Sequence, residues 1–291
     1  MYELNEKLRG LTPYTPVDGE GCVRLDANES FIELPAEFLS SLGEMDLHLN
    51  RYPDPAAGEL CGAFASYYHI NPDMVAAGNG SDELISVIFS AFLMRGEAFA
   101  TLEPDFSMYA QSGLLAEARH VRIDKPNFRI DVEDTLGVCR REGVRLLIFS
   151  NPCNPTSIVL DQEPVRWLVR ELSKLNCLVV LDEAYMDFSD RSLLSEADKY
   201  DNLIVLRTCS KALGMAAARL GFAVGGERLI GALKAAKAPY NVNTLSQALG
   251  AAVLRRPLML LLAKEEILRS KEALLQGLSR LSAKYPGELE L

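Results

Sequence analysis

The chain has 291 residues, 48% apolar and 24% charged, the balance of an ordinary globular protein, and the length suits about two domains or one large α/β unit with an appendage. Forty acidic against thirty basic residues leave a net charge of −10, which argues against a nucleic-acid surface. Six cysteines (Cys22, Cys61, Cys139, Cys153, Cys177, Cys209) lie scattered without C-x-x-C spacing, and His48, His69 and His120 stand apart. Neither a disulfide framework nor a zinc centre is expected, the apolar runs are too short for a membrane span, and a soluble cytoplasmic enzyme with reduced thiols is the reading.

The first fifty residues are irregular, marked by the turn-rich "LTPYTP" and "LDANES". A helical pattern follows "NRYPDP", from Pro55 to Tyr68. "MVAAGNG" then reads as a strand and glycine turn, and residues 81–93 as a helix with Ser81 at its N-cap and acids in its first turn. Strand-like runs recur at 98–102, 119–123, 144–149, 177–181, 203–206 and 220–224, with helical patterns near 106–117, 131–142 and 163–174. Unbroken apolar strands alternating with helices predict a mostly parallel sheet covered on both faces, with ligands at the carboxyl ends of its strands. From Leu258 to Lys284 an amphipathic helix carries apolar pairs that need a surface to cover, and the "ELEL" that ends the chain reads as the opening of a strand.

Four motifs fall at predicted strand ends: Gly78–Ser81, Asn151–Ser157, Asp182–Tyr185 and Thr208–Arg219. Singly, each reads as well as a turn or a helix cap. Together they fit one task. The helix start at Ser81 offers free N–H groups to a phosphate, Thr208 and Ser210 add hydroxyls, and Arg219 adds a guanidinium fork. Asp182, closing "CLVVLD", is a carboxylate too costly to bury without a cationic partner. Lys211 sits among residues so small that little shields its ammonium, the setting of an imine-forming lysine. Phosphate clamp, buried acid, tyrosine and lysine together describe a pyridoxal-phosphate site.

"GNGSDE", "NPCNPTS", "LDEAYMDF" and "SKALGMAAARLGF", in this order, resemble the fold-type I PLP aminotransferases, and "LTPYTP", "LDANES" and "NRYPDP" narrow the resemblance to the histidinol-phosphate aminotransferase group. The resemblance implies a three-layer α/β/α large domain with a mostly parallel sheet and a small α+β domain. Residues 1–50 would be an N-terminal arm, 51–255 the PLP-binding domain, and 256–291 the start of a small domain that reads as cut short. It implies Lys211 as the Schiff-base lysine, Asp182 on the pyridine nitrogen, Tyr185 and Asn154 on the phenolic oxygen, and Phe106 stacked on the ring. Ser81, Asp82, Thr208, Ser210 and Arg219 would hold the phosphate, and Tyr52 would reach the phosphate of a second subunit, hence a homodimer. Tyr14 and Asn28 match positions near the substrate. Trp167, the lone tryptophan, reads as core.

The implied reaction exchanges an amino group between histidinol phosphate and glutamate, through 2-oxoglutarate, in histidine biosynthesis. The same cofactor residues would serve a threonine-phosphate decarboxylase or a broad-range or aromatic aminotransferase, and a PLP-binding protein without turnover is a third reading. Cys153 and Ser157 depart from the usual residues of the "NPCNPTS" loop, as does the plain "MAAAR" run. The arginine with which such enzymes take the substrate's carboxyl or phosphate group has no counterpart here, so tighter binding of PLP than of substrate is expected.

Overall fold

The structure, a computed structural model, describes residues 2–15 and 20–286. Seven strands, β1 (Val75–Asn79), β2 (Ala98–Glu103), β3 (Arg119–Asp124), β4 (Val144–Ser150), β5 (Leu178–Asp182), β6 (Leu203–Thr208) and β7 (Leu220–Val224), form one sheet in the order β1-β7-β6-β5-β4-β2-β3. β7 runs antiparallel to both of its neighbours, and the other pairs are parallel, so the sheet is mostly parallel as the apolar runs predict.

Alternation along the strands sends side chains into two cores, because successive residues point to opposite faces. Leu147, Phe149, Val179, Leu181, Val205 and Phe222 pack into one; Leu146, Ile148, Val180, Ile204 and Leu206 pack into the other. The described residues form ten α-helices: α1 (Glu6–Arg9), α2 (Ala36–Leu42), α3 (Gly58–Tyr68), α4 (Ser81–Phe92), α5 (Met108–Leu115), α6 (Val132–Glu142), α7 (Gln162–Ser173), α8 (Glu227–Ala236), α9 (Thr244–Leu254) and α10 (Pro257–Lys284). α3, α6, α7 and α9 cover the first face, and α4 and α8 the second. The result is a three-layer α/β/α architecture.

Trp167 packs partly buried on the first core, as its place on a helix predicts. α10 contributes only Leu260 to the fully buried set, while Leu261, Leu268, Leu274, Leu275 and Leu281 stay exposed, so most of its apolar stripe is uncovered. The strand expected of "ELEL" lies outside the described residues. Among the described residues no single helix is long and apolar enough to cross a membrane.

One cap differs from expectation. Gly80, not Ser81, caps α4, and Ser81 is the first helical residue. The chain turns there through φ +85°, which a glycine adopts freely and a serine does not. The sheet register explains why this turn is so tight. Gly78 of β1 and Thr208 of β6 both pair with Gly221 of β7, and a Cβ on Gly221 would lie 2.3 Å from the Ser81 nitrogen. The missing side chain lets the first turn of α4 sit directly on the sheet.

Candidate active site

The carboxyl ends of the parallel strands converge on a cleft of about 130 Å³, lined among others by Ser81, Asp82, Phe106, Asn154, Asp182, Tyr185, Thr208, Ser210, Lys211 and Arg219. The register is the reason: Ser150 of β4 pairs with Asp182 of β5, and Thr208 ends β6. Residues up to 138 positions apart in sequence, from Ser81 to Arg219, thus share one cavity.

Asp182 and Glu183 are adjacent, both buried, and differently supplied. Glu183 turns to the Arg207 guanidinium, 3.2 Å away, and accepts bonds from Ser192 Oγ (2.6 Å) and the Leu193 N–H (2.8 Å). Asp182 points to the cleft and accepts from the Tyr109 hydroxyl (2.8 Å) and the Ala184 N–H (3.0 Å), both neutral donors. Burial pushes its carboxyl up to about 6 against those two bonds. Such a carboxylate calls for a cation in the cleft.

Lys211 is half-buried, its ammonium donating to the Ala27 carbonyl at 2.7 Å and standing 5.8 Å from the centre of the Tyr185 ring. Burial lowers its pKa, opposed by the charges of Glu29 and Asp82, so the neutral amine is more accessible than in water. The Tyr185 hydroxyl accepts from Asn28 Nδ2 at 3.1 Å and Asn154 Nδ2 at 3.4 Å. Three polar groups foreseen from separate motifs therefore meet at one oxygen.

At the other end of the cleft Arg219, in the left-handed region at φ +51°, reaches Asp82 Oδ2 (3.1 Å) and Ser210 Oγ (3.4 Å). Thr208 Oγ1 donates to Ser210 Oγ and accepts from the Ser210 N–H, both at 3.1 Å. A Cβ on Gly80 would come within 2.7 Å of Arg219 Nη2, so the glycine leaves room for the guanidinium over the start of α4. The guanidinium pairs there with the Asp82 carboxylate, in the first turn of α4, where the N–H groups have no partner within the helix.

Phe106 lines the cleft, edge-on to Tyr109 with ring centres 5.6 Å apart. Tyr109 itself escapes sequence reasoning, although it sets the orientation of Asp182; a tyrosine three residues after Phe106 on a short helix reads as core, and it is fully buried. A second cleft of about 430 Å³ shares Asn154 and Tyr185 with the first, is lined by Asn28 as well, and extends past Pro152, Val159 and Phe188 to Ile267 and Lys271. Two expected residues lie outside both clefts. Tyr14 is 86% exposed, and Tyr52 is 81% exposed with its ring stacked on Tyr240, centres 4.6 Å apart. Among the described residues no cluster of three or more His, Cys, Asp or Glu side chains is placed to hold a metal ion.

The family described as aminotransferase class I and II matches residues 23–287. The histidinol-phosphate aminotransferase of Clostridium kluyveri is 38% identical over 278 residues, covering 94% of this chain and 78% of the relative. That of Caldanaerobacter subterraneus is 33% identical over 285 residues, covering 96% and 79%. Among solved structures, the histidinol-phosphate aminotransferase of Sinorhizobium meliloti in complex with pyridoxal-5'-phosphate superposes with a TM-score of 0.85 at 24% identity, over 94% of this chain and 76% of that one. A Thermus thermophilus aspartate aminotransferase variant gives 0.82 at 22% identity, over 97% and 81%. With a mostly parallel sheet whose strand ends gather a lysine, a buried acid and an arginine at a helix start, and a family match over nearly its whole length, the chain belongs to the class I and II aminotransferases.

Proposed function

We propose that the strand-end cleft holds pyridoxal 5'-phosphate and that the chain transfers an amino group between histidinol phosphate and 2-oxoglutarate, with glutamate as the other product. The observation that carries the cofactor reading is Asp182: a buried carboxylate with neutral donors alone, aimed into the same cleft as a half-buried lysine. The substrate reading rests on relatives of that name at 33% and 38% identity.

When bound, the cofactor supplies an aldehyde carbon that bonds amines and a ring that draws electrons from the bond to be broken. Lys211 would bond that carbon; Asp182 would hold a proton on the ring nitrogen. Tyr185 and Asn154 would hold the phenolic oxygen, with Phe106 against the ring. The first N–H groups of α4 at Ser81 and Asp82, with Thr208, Ser210 and Arg219, would take the phosphate. The free Lys211 amine would take the proton from the α-carbon of the amino donor, a task its lowered pKa favours. Asn28, which lines the second cleft and donates to the Tyr185 hydroxyl, and Tyr14, on the N-terminal arm, are assigned to the substrate side.

We assign residues 1–50 to an arm, 51–255 to the cofactor domain and 256–291 to a distinct C-terminal unit, in a cytoplasmic homodimer. Tyr52, exposed and outside the cleft of its own chain, supports the shared-site reading, in which it reaches the phosphate of a second subunit. Tyr52→Phe should weaken PLP binding, read by equilibrium dialysis; unchanged affinity would remove the shared site.

Arg219→Ala should weaken PLP binding by about 10- to 100-fold, the loss of charge-assisted bonds worth roughly 1.5–3 kcal/mol, while leaving pyridoxal without its phosphate bound as before. Equal losses for both compounds would refute the phosphate role. The function itself is tested by incubating PLP-loaded protein with histidinol phosphate and 2-oxoglutarate and measuring glutamate. Glutamate formed only when both are present is the expected result. Carbon dioxide released from threonine phosphate without glutamate would replace transfer by decarboxylation, and a loaded protein that leaves every amino donor unchanged would make it a binder.

A further inference from the structure

Beside the cofactor cleft lies a buried group of side chains that the reaction does not use. Lys125 follows β3 directly, and its side chain is 2% exposed; Asp105, between β2 and α5, is 1% exposed. The Lys125 ammonium donates to Cys153 Sγ at 3.1 Å and stands 3.7 Å from Asp105 Oδ2. The thiol of Cys153 in turn points to the Pro104 carbonyl, 3.5 Å away, which leaves its sulfur lone pairs to the lysine. A buried ammonium normally gathers oxygen acceptors, and here its hydrogen-bond acceptor is a sulfur. Asp105 is otherwise engaged by the Ser150 hydroxyl and N–H and by the Phe106 N–H.

Cys153, 4% exposed, also lines the larger cleft, next to Asn154, so a small oxidant entering that cleft with solvent comes up against this residue. The other buried cysteines have different surroundings. Cys139 and Cys177 sit in the apolar core, where burial pushes their thiols up to about 12.

We propose that Lys125 and Cys153 are a modification site: hydrogen peroxide converts the pair into a direct Nζ–Sγ bond that thiols reverse. In the first step the sulfur attacks peroxide, the O–O bond breaks, and a sulfenic acid and one water result. In the second the Lys125 nitrogen, after passing one proton to Asp105, attacks Sγ. The N–S bond forms, the S–O bond breaks, and the departing hydroxyl takes a proton from the nitrogen to leave as water once Asp105 has returned its proton to solvent. Overall an amine, a thiol and one peroxide give the linked pair and two waters; sulfur is oxidised and peroxide reduced. Two equivalents of a small thiol return the amine and the cysteine and leave as a disulfide. The link would tie the end of β3 to the "NPCNPTS" loop and so fix the wall that carries Asn154.

The test uses the full chain loaded with PLP, treated with hydrogen peroxide, digested without reductant and weighed peptide by peptide. The expected product is a pair of peptides joined at Lys125 and Cys153, lighter by two hydrogens than their sum, separated by dithiothreitol and never formed by Cys153→Ser. Three outcomes overturn the proposal: Cys153 carried on to sulfinic acid or captured by dimedone with Lys125 free; a link that retains an oxygen; or an unchanged Cys153 in protein whose exposed Cys22 is oxidised.

Discussion

Replacing Lys211 with alanine is expected to lower amino transfer by at least about 10²- to 10⁴-fold, the range set by losing a positioned acid–base group. The lysine has two duties in the proposed reaction, fixing the cofactor and moving the substrate proton, so neither half of the cycle escapes. Its surroundings argue against a structural role. The ammonium makes one hydrogen bond, to the Ala27 carbonyl, and the nearby carboxylates of Glu29 and Asp82 act on it at longer range. Removing it should therefore leave thermal stability little changed. Borohydride treatment of the PLP-loaded wild type should fix a pyridoxyl group on Lys211, detectable by peptide mass, and the variant should carry none. A label on another lysine would refute the assignment. A small primary amine such as methylamine, added to the variant, should restore part of the proton transfer while restoring no label.

Much of this site was legible because each of its parts closes a strand or opens a helix. "CLVVLD" announces a buried strand ending in an acid, and only a function excuses the acid. "GNGSD" announces a turn into a helix, although its sequence does not say which residue caps; the contact of Ser81 with Gly221 decides in favour of Gly80. The direction of β7 was not legible, since five apolar residues read the same either way, and the reversal depends on how the loop from Cys209 to Arg219 returns. Tyr109 and the Lys125–Cys153 contact were hidden for a related reason. Their partners lie 73 and 28 residues away, and no local pattern distinguishes a tyrosine that holds a carboxylate from one that fills a core. Tyr14 and Tyr52 are the reverse case: their motifs stand out, yet within one chain both remain at the surface.

Replacing Asp182 with asparagine is expected to move activity and stability in opposite directions. In the cofactor-free protein burial raises this carboxyl from 3.8 to about 6, so between those values the folded chain binds more protons than the unfolded one. The stability Asp182 contributes is thus highest below about pH 4, falls as pH rises through 6, and above 6 is a full penalty of about 3 kcal/mol. An amide of the same shape can keep a contact with Tyr109 and Ala184 and carries no charge to desolvate. Asp182→Asn without PLP should therefore melt higher than wild type at pH 7–8, with the gain vanishing toward about pH 4. The same change removes the anion that would hold a proton on the ring nitrogen, and amino transfer should fall by about 10²-fold or more. PLP binding should close the stability gap, because the wild-type carboxylate gains the cation it lacks and the amide gains nothing comparable. Melting curves with and without PLP across this pH range, beside the rate of glutamate formation, read all of these effects. A variant no more stable than wild type at pH 8 would show that Asp182 is not strained by burial. One that kept its activity would show that the acid faces something other than the ring.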